Sequence, residues 1–236
     1  SDGDITLGMK WRARWAWRFI GFVISTFLIY EIWFAGRILI LRWVDPKNTS
    51  FMIAYAEESN NVPKHIWVDY ENISPQVKKA VLASEDARFI HHGGFDWTAL
   101  RHAASRNVRQ GKIISGGSTI TQQLAKNLFL SPSRSIWRKG QEAILALMLE
   151  VSLSKQRIFE VYLNIIEWGQ GVYGIEAAAN HYFNRTASDL SGHQAAKLAS
   201  YIPAPRKHFI VGDTDRSLRK AKIIRGRMTQ IKVPTE

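Results

Sequence analysis

Cysteine is absent from the 236 residues, which excludes a disulfide framework and any thiolate metal site, and leaves the redox character of the compartment open. Proline is scarce, at 7 residues, and 46% of the chain is hydrophobic. That content suffices to bury a sizeable core and argues against disorder. No internal repeat or low-complexity tract is present. Acidic residues are in deficit: 20 Asp and Glu stand against 32 Lys and Arg, a formal net charge of +12. Residues 1–45 hold six of the basic and four of the acidic residues, so the excess belongs to the rest of the chain. Such a charge suits nucleic acid, acidic lipid headgroups or a phosphate-bearing substrate, and it is equally compatible with a merely soluble cationic domain.

One long hydrophobic run exists. Residues 19–36 are apolar apart from Ser25, Thr26 and Glu31, and as a helix they would span roughly 27 Å, close to a bilayer core. Lys10, Arg12, Arg14 and Arg18 precede the run and Arg37 and Arg42 follow it. This bias favours a cytoplasmic N-terminus and an exported C-terminal domain. Trp15, Trp17, Trp33 and Trp43 suit the interfacial belt. The competing reading is a buried amphipathic helix, to which Glu31 and Arg37 lend weight. No A-x-A site follows the run, which argues against a cleaved signal peptide. The expected organisation is a cytoplasmic N-terminus at 1–18, of which residues 1–8 are assigned no function, a transmembrane helix at 19–41, a polar connector at 42–64 and one main domain at 65–236.

Within the main domain the apolar positions recur at three and four residues, as in Val77, Ala80 and Val81, which predicts a mainly α fold. Asp96 is placed to cap a helix through about Val108, and Ser118 or Thr119 one through Leu128. Ser135 and Ser154 are two further caps. Residues 65–68 read as extended. Glycines at 93–94, 116–117 and 169–174 break the helices into loops where polar residues concentrate.

Three runs concentrate reactive side chains. Residues 84–96 mix Glu85, Asp86, His91, His92 and Asp96 with glycine turns; a partly enclosed carboxylate there suits a general base, whereas two adjacent acids also suit a solvated helix end. Adjacent histidines point different ways and lack an obvious third ligand, so they read as packing or surface residues. Residues 116–127 place hydroxyls, amides and backbone N–H groups before a helix, either a cradle for an anion or sugar or a capped helix with a polar face. The spacing is not that of a P-loop. Residues 134–142 set Arg138 and Glu142 four apart beside Lys139. As a surface ion pair this is the less favourable order, so stability explains it poorly. A sugar-diphosphate donor would use all three runs: the leaving pyrophosphate needs cations, while the acceptor hydroxyl needs a base.

At these residues the sequence resembles the peptidoglycan glycosyltransferase family, whose members occur alone or as the first domain of bifunctional penicillin-binding proteins. Glu85-Asp86-x-x-Phe89-x-x-His92-x-Gly94-x-Asp96 resembles its first motif, and Gly117-Ser118-Thr119-Ile120-Thr121-Gln122-Gln123, continued by Leu124-Ala125-Lys126-Asn127-Leu128, its second. Arg138-Lys139-x-x-Glu142 resembles the third, and Lys155-x-x-Ile158-x-Glu160-x-Tyr162-Leu163-Asn164 the fourth. Arg219, Ile223, Ile224 and Met228 follow the fifth more loosely, and the resemblance covers roughly residues 65–230. Gln194 departs from it, standing where members often carry glutamate.

The resemblance implies a mainly α, lysozyme-like domain of the monofunctional type, preceded by a single transmembrane helix in the cytoplasmic membrane. It implies that Glu85 deprotonates the 4-hydroxyl of an acceptor disaccharide, which attacks the anomeric carbon of the growing chain and expels undecaprenyl pyrophosphate with inversion. Glu142 is expected to assist at the pyrophosphate end or to orient substrate. Lys126, Arg134, Arg138 and Lys139 are expected to neutralise the diphosphate. Asp86, Phe89, His92, Ser118, Thr119, Gln122, Gln123, Asn127, Glu160, Tyr162 and Asn164 complete the expected substrate-binding set. Implied partners are lipid II, the lipid-linked glycan strand, membrane lipids and other cell-wall synthesis proteins, with no nucleic acid. A divalent cation, Mg or Mn, is implied as a helper rather than an obligatory cofactor. Two other functions compete: a lysozyme-like lytic hydrolase, which has no use for diphosphate-binding cations, and a membrane-tethered anion-binding protein, whose cationic stripe should not contain Glu85, Glu142 and Glu160.

Overall fold

The computed structural model describes residues 2–110, 117–133 and 135–235, with the backbone alone at 2–10, 12, 13, 106–108 and 110. The chain divides into two units, Ser1–Leu41 and Arg42–Glu236.

The first unit is one helix, α1 (Asp2–Ile40). Its stretch Arg14–Ile40 contains 27 residues with a mean hydropathy of 1.7, long and apolar enough to cross a membrane. The helix begins well before the apolar run: residues 2–18 contain no proline, and their Ala, Arg, Lys and Met favour helix against the cost of Gly3 and Gly8.

The second unit is mainly α, as the three-to-four-residue periodicity predicts. Its helices are α2 (Ser50–Ser59), α3 (Pro75–Glu85), α4 (Trp97–Gln110), α5 (Ile120–Phe129), α6 (Ile136–Ser152), α7 (Lys155–Ile165), α8 (Ile175–Phe183), α9 (Gly192–Tyr201), α10 (Pro205–Val211) and α11 (Asp215–Arg227). The expected caps hold. Asp96 Oδ1 accepts from Ala99 N at 2.9 Å, Ser135 Oγ from Arg138 N at 3.0 Å and Ser154 Oγ from Arg157 N at 3.1 Å. At α5 the capping residue is Thr119 rather than Ser118, in a reciprocal box with Gln122. Gln194 makes the same box with Ser191 at the start of α9, a role in which glutamine serves as glutamate would.

The core forms around α7, buried on nearly every side through Ile158, Phe159, Val161, Tyr162, Leu163 and Ile165. Phe159 packs within 5.7 Å of Phe89 and 6.4 Å of Tyr70, ring centre to ring centre. Each such side chain contributes on the order of 2 kcal/mol by leaving water. α3 lies against α9 and α11, and α5 against α6 and α7. This sandwiching brings the end of α3, the start of α5 and the middle of α11 together.

Two passages differ from the sequence reading. The polar connector expected at 42–64 contains α2, which buries Met52 and Tyr55 and is tied to α5 by Ser50 Oγ donating to Leu128 O at 3.0 Å. The glycine-rich passage expected as a loop forms β2 (Glu167–Gly169) and β3 (Val172–Tyr173), an antiparallel pair beside which β1 (Lys64–His65) runs parallel to β3. Gly174 closes this sheet at φ 81°, and a Cβ there would stand 2.5 Å from the Asn164 carbonyl oxygen, so only glycine fits.

Candidate active site

α3 ends at Glu85, so the carboxylate sits at the negative end of a helix, a place that does not favour it. Three neighbours compensate. Ser84 Oγ donates to Glu85 Oε1 at 2.6 Å, Lys220 Nζ on α11 lies 3.3 Å from the same oxygen, and Gln123 Nε2 on α5 lies 3.3 Å from Oε2. The Glu85 side chain keeps 12% of its surface exposed, and that surface opens on a cavity of about 730 Å³ lined by Ser84, Ser118, Gln123, Lys207, Arg216 and Lys220 among others.

The cleft continues past Glu85 into a second cavity of about 190 Å³, with Arg88, Gly117, Ser118 and Thr119 on its walls. A third, of about 260 Å³, lies between Phe95, Trp97, Leu100, Ser118, Gln122 and Lys139. Ser118 is common to all three. Its Oγ also accepts from Lys139 Nζ at 3.2 Å, which joins the second and third sequence runs across the cleft.

Asp86 is buried at 7% exposure. Its carboxylate accepts from His92 Nε2 at 2.8 and 3.0 Å and from Ile120 N at 3.1 Å, which pins the loop after α3 onto the N-terminus of α5, the favoured end for an anion. Thr119 Oγ1 donating to Gly94 O at 2.7 Å adds a second tie. Asp86, His92 and Asp96 offer ligand atoms within 4.8 Å of one another, and their hydrogen bonds are made within the protein. His92 Nε2 spends its proton on Asp86, and Asp96 Oδ1 is committed to the N-terminus of α4.

Glu142 lies on α6 with its side chain only 3% exposed. Arg138 Nη1 donates to Oε2 at 2.9 Å, and Lys139 Nζ pairs with Oε1. Two cations share one carboxylate, so this corner keeps a net positive charge. Lys139 is half-exposed and Arg138 is 16% exposed, and both remain at the surface while Glu142 does not. Lys126, one turn beyond Gln122 and Gln123, holds its Nζ 5.6 Å from the ring centre of Phe51. Arg134 lies outside the described residues, as does most of the loop that follows α4.

Several expected substrate-binding residues take other places. Tyr162 and Asn164 are wholly buried and Phe89 is 1% exposed, so they have no surface to give a ligand. Asn164 bridges Val68 N and O at 2.9 and 2.8 Å. Glu160 accepts from Tyr70 N at 2.7 Å and from Arg157. Gln122 gives its Oε1 to the capping box while its side chain also lines the third cavity, and Asn127 Nδ2 donates to Gln123 O at 2.8 Å. These residues hold the frame, because short-range motif spacing does not say which face of a helix meets the cleft.

Sequence reasoning missed Ser84, Lys207, Arg216 and Lys220. For Lys220 a signal existed: Ser217 and Ile224 are the buried positions of α11, and residue 220 falls on the same face by helical phase. Arg219, singled out from the fifth motif, is exposed instead.

Residues 53–229 match the family described as Transglycosylase. A biosynthetic peptidoglycan transglycosylase of Laribacter hongkongensis is 48% identical over 227 residues, which cover 94% of this chain and 99% of that protein. Its counterpart in Dechloromonas aromatica is 48% identical over 235 residues, 96% of this chain and 100% of that protein. That of Chromobacterium violaceum is 45% identical over 227 residues, 94% and 100% respectively. The family match starts inside α2, earlier than the motifs alone indicate, in keeping with the packing of α2 on α5.

Proposed function

The chain belongs to the transglycosylase family, and from that premise we propose that it is an inverting glycosyltransferase that polymerises lipid II into β-1,4-linked glycan strands for the bacterial cell wall, releasing undecaprenyl diphosphate. The domain has the mainly α, lysozyme-like character expected of this family. One observation carries the choice of transfer over hydrolysis: Glu85 is the one carboxylate among the described cleft residues that opens onto the cleft, held by one short hydroxyl bond and two contacts of 3.3 Å. Asp86, Asp96 and Glu142 are buried at 7%, 7% and 2% exposure and fully engaged. A glycoside hydrolase, whether inverting or retaining, ordinarily needs two carboxyl groups that both reach the scissile bond. Transfer to a hydroxyl with a diphosphate leaving group needs one base and a set of cations.

In this reading Glu85 takes the proton from the acceptor's 4-hydroxyl as that oxygen forms its bond to the anomeric carbon of the growing chain. The bond to the diphosphate oxygen breaks, and the electron pair leaves with the diphosphate. Arg138 and Lys139, held apart and aimed by Glu142, stabilise the charge developing there. Lys220 sits against Glu85 and places a cation 3.3 Å from one of its carboxylate oxygens. The helix α1 is proposed to anchor the enzyme in the cytoplasmic membrane with the N-terminus inside, where both lipid-linked substrates lie.

The decisive experiment supplies lipid II to the purified full chain. Glycan polymer with release of undecaprenyl diphosphate is expected; shortening of preformed glycan without polymerisation would sink the reading.

A further inference from the structure

Tyr162 sits at the centre of the core with no exposed surface, yet its hydroxyl is not idle. Tyr162 Oη lies 3.0 Å from Gln123 Oε1, and Gln123 Nε2 lies 3.3 Å from Glu85 Oε2. The hydrogen-bond roles along this line follow from chemistry. An ionised carboxylate only accepts, so the amide must turn its NH2 group toward Glu85. Its carbonyl oxygen then faces the phenol, which donates. Burial, followed by the negative charges of Glu85 and Asp86, pushes the Tyr162 hydroxyl well above its ordinary range, so the proton stays on it at every working pH.

We propose that Tyr162 is a positioning residue for polymerisation: it fixes the amide of Gln123 with its NH2 toward Glu85, and so orients one oxygen of the base without touching substrate. The amide of a glutamine can rotate by half a turn, and in the wrong sense it would present its carbonyl oxygen to a carboxylate. The phenol removes that alternative. The other carboxylate oxygen is held separately by Ser84 and Lys220, so the relay governs Oε2 and leaves Oε1 in place. The inference rests on Glu85 being the base.

Steady-state polymerisation by the full chain, normalised to folded protein, tests it. Tyr162→Phe removes one hydroxyl and keeps the ring; kcat is expected to fall about fivefold with KM within about twofold, the loss of one neutral hydrogen bond expressed in the rate. On a Gln123→Ala background the same substitution should change kcat no further, a coupling that a merely structural tyrosine would not show. Additive losses in the double variant, or a single variant as fast as the parent, overturn the proposal. Should Tyr162→Phe fold poorly, Gln123→Leu reads the same relay from its partly buried member: it too should lower kcat and spare KM, and an unchanged kcat overturns the proposal equally. Glu85→Gln separates the two readings. Retained turnover in that variant defeats the general-base assignment itself, whereas a dead Glu85→Gln beside an unaffected Tyr162→Phe defeats the relay alone.

Discussion

Glu85 and Glu142 are the same side chain in opposite settings. Glu85 ends a helix, keeps 12% of its side chain in the cleft, and is held by two contacts of 3.3 Å and one short hydroxyl bond. Glu142 lies inside a helix, keeps 3%, and is gripped by two cations. A carboxylate that must take up a proton and give it back needs loose partners and an open side; one that must hold two cations in register needs the reverse. The cost of placing Glu85 at a helix C-terminus is met by Lys220 rather than by burial, which leaves the carboxylate reachable.

The largest effect separating the two should come from Glu85→Gln. Polymer yield from lipid II is expected to drop about a thousandfold, within the range for losing a positioned base, while the melting temperature stays at or slightly above that of the parent. Glu142→Gln should reverse that pattern. It leaves Arg138 and Lys139, both at the surface, facing each other across a buried amide, so we expect about 1 kcal/mol of lost stability by denaturant unfolding, together with a turnover loss of about tenfold. Loss of turnover without loss of stability would place Glu142 with Glu85 and end the contrast. The smallest change belongs to Lys139→Ala. Half-exposed, it should raise KM for lipid II about fivefold and reduce its salt sensitivity, with unfolding almost unchanged; an unaltered KM would remove Lys139 from the diphosphate corner.

Local chemistry was the legible part of this fold. Asp96, Ser135 and Ser154 announce their helices because an N-cap bond spans only two or three residues, and the period of α3 is visible in Val77, Ala80 and Val81. The β2–β3 pair was not legible, since strands of three and two residues are too short for an alternation to register. Nor was α2, whose helix is stabilised by packing on α5 more than by its own sequence. At the site, the motifs named the right segments but not the direction of each side chain. Tyr162, Asn164 and Phe89 belong to the core, while Ser84 and Lys220, absent from the expected set, stand against Glu85. Such facing is decided by how α3, α5, α7 and α11 pack, and no window of sequence contains more than one of them.

The pairing of Glu85 with Lys220 joins residues 135 positions apart in the chain. In terms of time rather than space, the cleft carboxylate is made early and its counter-ion late, because a chain emerging from its N-terminus completes α3 long before α11 exists to dock on it. Closing so long a loop also carries an entropic cost that only the finished α3–α9–α11 packing offsets. Glu85 therefore acquires its cation late in folding, so that an incomplete chain holds this acid in the wrong electrostatic company.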